Sequence, residues 1–80
     1  MIEKNFARNI VKLFARAAKA WEIGNNSGSG AILARMDAEC ERLRNRAEAK
    51  LVPLGISVDY PGLYPLYQYK GREYHELGEV

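Results

Sequence analysis

"LVPLGISVDY", Leu51–Tyr60, is where this chain changes its period. Before it, apolar residues recur at three- and four-residue steps; after Gly55, Ile56, Val58 and Tyr60 alternate with Ser57 and Asp59. The first spacing belongs to a helix with one buried face, the second to a half-buried strand. Pro53 cannot continue a helical hydrogen-bond ladder and restricts Val52 before it, so the helix stops there and "PLG" makes the exit turn. The fold class is therefore α+β, with helices first and a small antiparallel sheet after them.

Upstream of that switch a helix is expected over residues 30–52. Leu33, Met36, Cys40, Leu43, Ala47 and Leu51 form a narrow apolar seam. Arg35, Arg42 and Arg46 lie along one flank of it, and Asp37, Glu41 and Glu48 along the other. "GNNSGSG", Gly24–Gly30, breaks the helical pattern. Its glycines and asparagines tolerate positive φ and its serines can cap the second helix, so residues 24–29 read as a flexible interhelical loop, with Gly24 as a left-handed helix cap. "GSGAIL" begins like a dinucleotide fingerprint, but the third glycine is missing, no strand precedes it and no Lys-Ser/Thr pair completes a phosphate loop.

The first helix is expected over residues 3–23. On a wheel of about 100° per residue, Ile2, Phe6, Ile10, Leu13, Phe14, Ala17 and Trp21 share one arc. Lys4, Arg8, Lys12, Arg16 and Lys19 occupy another, nearly opposite. The two helices therefore form an antiparallel hairpin whose apolar stripe stays open along one side and requires a third layer.

Downstream, residues 56–77 read as short strands and a β-hairpin. Pro61 and Gly62 suit the centre of a type II turn, and "LYQY" and "REYH" flank "KG" at the spacing of a two-residue hairpin loop. Gly71 supplies the positive φ there, and Lys70 is a weaker turn residue than Asn or Asp. Ile56, Val58, Leu63, Leu66 and Leu77 supply the third layer, together with some of the five tyrosines, all of which lie between Tyr60 and Tyr74. Tyr60 and Tyr64 flank a proline turn and cannot both face inward, so two or three tyrosines are expected at the surface.

Eighty residues make one domain with a modest core. A single cysteine excludes an intrachain disulfide and makes an intracellular, cytoplasmic home the default expectation. The chain has no apolar run of about 18 residues, and charge is scattered through "MIEKNFARNIVKLF", so neither a membrane span nor a secretory signal is expected. Cys40 and His75 lack zinc-ligand spacing, and Cys40 sits on the apolar seam, where a thiol is a small core residue. No metal, no cofactor and no catalytic residue are expected, and hence no enzyme.

What remains is binding. Residues 1–55 carry ten bases against six acids, residues 56–80 two bases against four acids. The leading expectation is a small non-enzymatic protein-binding module, an adaptor or inhibitor of a larger protein with an acidic surface. Lys4, Arg8, Lys12, Arg16 and Lys19 would contact it, together with Tyr60, Tyr64 and Tyr67. Small size and absent catalytic motifs resemble short phage or mobile-element accessory proteins, among them inhibitors of host defence. One alternative is a nucleic-acid-binding protein using the basic stripe of the first helix; another is a structural homo-oligomer. A homodimer is expected, because a core this small gains from a second copy.

Overall fold

A computed structural model describes residues 2–80. Two long helices, α1 (Lys4–Asn26) and α2 (Gly30–Leu51), are followed by three short strands: β1 (Ser57–Asp59), β2 (Leu66–Tyr69) and β3 (Arg72–Tyr74). Single 3-10 turns, Val52–Leu54 and Leu77–Glu79, come after α2 and β3. The strands form one antiparallel sheet in the order β1-β2-β3. This is the α+β helical hairpin with a small C-terminal sheet that the change of period implies.

Both helices begin on side-chain caps. The Glu3 carboxylate accepts the Asn5 and Phe6 N–H groups at 3.1 and 2.9 Å, which holds that carboxyl below its usual range. Ser29 Oγ accepts the Ile32 N–H at 3.4 Å and opens α2. Between the helices the structure corrects the expected boundary. Gly24 is neither a cap nor loop: α1 runs through it to Asn26, and Gly24 is buried in helical conformation. A Cβ there would stand 2.9 Å from Met36 Cβ, so its missing side chain lets the two helices approach. The stop comes from Ser27, whose backbone N–H and Oγ both bond to the Gly24 carbonyl, and from Gly28 at φ +69°.

Pro53 and Gly55 end α2 as the sequence implies, with Gly55 at φ +76°. In the hairpin both Lys70 (φ 49°) and Gly71 (φ 76°) are left-handed, the arrangement of a type I′ turn. The expected type II turn at Pro61-Gly62 is absent, since Gly62 does not adopt positive φ. Residues 61–64 instead form a bent loop. It is held from α2, where Arg44 Nη2 donates to the Leu63 carbonyl at 3.3 Å.

The register pairs Val58 with Tyr67 and Tyr67 with Tyr74, so these three share the sheet face turned to the helices. On the opposite face Gln68 Nε2 donates to Asp59 Oδ2 at 3.0 Å and to Glu73 Oε1 at 3.1 Å, tying all three strands together. Ile10, Leu43, Ala47 and Leu51 from the helices meet Ile56, Tyr67 and Leu77 from the C-terminal segment in one core. Among the described residues no helix is long and apolar enough to cross a membrane.

Candidate partner-binding surface

The tyrosines divide by the neighbours that tertiary folding gives them. Tyr67, expected among the surface contact residues, is only 3% exposed and belongs to the core. Its ring packs edge-on against Phe14 at 6.0 Å between centroids, on the inward sheet face. Burial pushes its phenol up to about 12.

Tyr60 is half-buried and already engaged. It packs edge-on against Phe14 at 6.1 Å, carries the Arg44 guanidinium 4.3 Å above its ring, and donates its hydroxyl to Glu48 Oε2 at 2.8 Å. Desolvation and the Glu48 hydrogen bond both raise its pKa. Tyr60 thus fastens the loop to α2 and offers little free surface. Tyr69 and Tyr74 are half-buried against the core, which leaves Tyr64, 64% exposed, as the one fully presented tyrosine.

Tyr64 stands on the edge of a groove of about 490 Å³. Val11 and Ala15 of α1 form one bank; Tyr64, Pro65, His75 and Glu76 form the other; Phe14, Tyr67 and Leu77 lie between them. Val11 is 48% exposed. Because residues three and four apart adjoin on a helix, Val11 neighbours Arg8, and Ala15 neighbours Lys12 and Lys19. The basic stripe therefore borders this groove on the α1 side. All five stripe residues are exposed, and among the described residues none of them makes an ion pair. Arg16 turns toward α2, where its charge adds a minor share to the lowering of the Glu39 carboxyl, most of which comes from the Arg42 hydrogen bond.

Trp21, expected in the buried arc, is 43% exposed. Its surroundings explain this: it borders shallow hollows with Cys40, Arg44, Tyr60 and Leu63, at the limit of the cover given by residues 60–65. Cys40 lines one of those hollows while His75 lines the Val11 groove, so the structure does not pair the two. Among the described residues no three His, Cys, Asp or Glu side chains gather as a metal site requires.

Sequence reading missed the clamp residues Arg44 and Glu48 and the groove residues Val11 and Pro65. Val11 was detectable in principle as an apolar residue at the edge of a basic arc. The clamp depends on contacts 12 and 19 residues apart, which no local period announces. Comparison with protein-family models, with curated proteins and with solved structures gave no match.

Proposed function

We propose that this protein is a non-enzymatic binding module, an adaptor or inhibitor, that takes an acidic, partly apolar segment of a larger protein along the Val11–Tyr64 groove. The observation that carries the reading is the juxtaposition itself. An apolar floor with an exposed tyrosine lies beside Arg8, Lys12 and Lys19, none of which has an internal counter-charge among the described residues. Apolar contact and tyrosine area would hold the segment, and the cations would steer it and fix its direction. Lys4 extends the stripe, Arg16 lies at its far edge, and Tyr60 serves by positioning the loop that bears Tyr64. The lone buried Cys40, with no partner thiol in the chain, fits action in a reducing compartment such as the cytoplasm.

The second reading is nucleic acid binding by the stripe alone. It is favoured by the same cations, which run over about 22 Å of helix from Lys4 to Lys19. Two probes separate the readings: a fluorescent peptide of alternating Glu and Leu, and duplex DNA of random sequence, each titrated at several salt concentrations. On the proposed reading the peptide binds, Tyr64→Ala speeds its release, and Lys12→Ala slows its association. DNA binding that weakens steeply as salt rises and ignores Tyr64→Ala would overturn the protein reading in favour of the second.

A further inference from the structure

A second groove opens at the open end of the hairpin, where α1 begins and α2 ends. Ile2, Phe6, Leu54, Ile56, Tyr69 and Val80 line about 340 Å³ of it, and Glu3 and Lys50 stand at its edges. Of the apolar lining only Ile56 is fully buried; Ile2, Phe6, Tyr69 and Val80 are half-buried and Leu54 is 45% exposed. Apolar side chains from the start of α1, the turn after α2, the sheet and the C-terminus thus meet water together here.

The charges at its edges say what covers it. Glu3 belongs to the α1 bank and Lys50 to the α2 bank, and among the described residues neither makes an ion pair. The Glu3 carboxylate is held in place by the two backbone N–H groups it caps, and its lowered pKa keeps it charged. A partner of one sign would satisfy only one bank. A two-fold axis running along the groove instead lays the α1 bank of one molecule on the α2 bank of the other. Each Glu3 then faces a Lys50, and each Leu54 meets a second copy's Ile2 and Phe6.

We infer that a second copy of this chain covers the groove, giving an isologous dimer built on Leu54 and on two Glu3–Lys50 pairs across the interface. This interface is separate from the Val11–Tyr64 groove and leaves the basic stripe free. It stands or falls independently of the proposed function.

Sedimentation equilibrium of the full chain over a range of concentrations and two salt concentrations tests it. Wild-type protein is expected to dimerise. Leu54→Asp should weaken the dimer by roughly tenfold or more, since it buries an unpaired charge. Lys50→Glu, which sets like charges opposite each other, should weaken it most at low salt. Leu54 and Lys50 are exposed, so both variants should keep wild-type circular dichroism, and Tyr64→Ala should leave the dimer constant unchanged. A wild-type monomer at every concentration, or a dimer that survives both variants, would overturn the assignment. So would a dimer broken by Tyr64→Ala, since it would place the contact at the other groove.

Discussion

The two ends of the helical hairpin are packed by different means. Near the start of α1 and the end of α2, Ile10, Phe14, Leu43 and Leu51 are large, and the sheet, with Ile56, Tyr67 and Leu77, completes their cover. Toward the interhelical loop the buried residues of α1 are Ala17, Ala18, Ala20 and Gly24, while Ile23 and Ile32 are exposed and Leu33 and Met36 half-buried. One end gains its stability by adding a layer, the other by drawing two helices close. A large core residue is useful only where a third element exists to surround it. Where none does, small residues let the two backbones come together at interior packing density.

The strongest way to break this contrast is to empty the three-layer end. Leu51→Ala removes a fully buried side chain between α2 and the sheet and is expected to cost about 3 kcal/mol, read from the urea midpoint. Ile32→Ala at the loop end, on an exposed position, should cost under about 0.5 kcal/mol. Equal losses at both sites would refute the contrast.

The second test enlarges the close-packed end. Ala normally stabilises a helix by about 1 kcal/mol relative to Gly. At Gly24 its Cβ would meet Met36 Cβ at 2.9 Å, and that atom lies too near the backbone to move away alone. Gly24→Ala should therefore destabilise by about 1–2 kcal/mol net, with helical content unchanged. A gain in stability would mean that the helices are free to separate and that Gly24 is not the reason they approach.

Base exposes the difference between the tyrosines at the sheet end. The ordinary phenol value is 10.0, and burial pushes Tyr67 up to about 12. A raised folded pKa means that the neutral form is favoured in the fold. The stabilising contribution is therefore complete below pH about 10 and is lost as pH rises from there through about 12. Melting temperature tracked over that window should fall, and Tyr67→Phe should flatten the fall. Tyr60 moves in the same direction, so Tyr60→Phe should flatten it as well. At neutral pH that variant is expected to lose about 1 kcal/mol with its hydrogen bond to Glu48.

The smallest effect is at the hairpin turn. Lys70 occupies a left-handed position that Asn adopts more easily, so Lys70→Asn should stabilise by about 0.5 kcal/mol. A loss there would show that the 5.2 Å approach of the Lys70 ammonium to the Tyr69 ring outweighs the backbone cost.

Much of this architecture was legible because it rests on local rules. The switch of period at Leu51–Tyr60, the seam from Leu33 to Leu51, and the KG hairpin are each dictated by spacing within a few residues. Other features failed because distant residues decided them. Gly24 looks like a cap in any window that omits Met36. Trp21 belongs to the apolar arc, but nothing in that arc says that the cover offered by residues 60–65 ends beside it. The Pro61-Gly62 pair suits a type II turn until Arg44 binds the Leu63 carbonyl and Tyr60 binds Glu48.

By itself the sequence determined the order of elements, the basic stripe and which side chains could be apolar, since periodicity and charge are properties of neighbours along the chain. Tertiary structure alone decided that Tyr67 is core, Tyr60 a fastener and Tyr64 a presented surface. Three tyrosines of one chemistry diverge because exposure depends on what stands opposite each ring, and only folding brings Phe14, Arg44 and Val11 there.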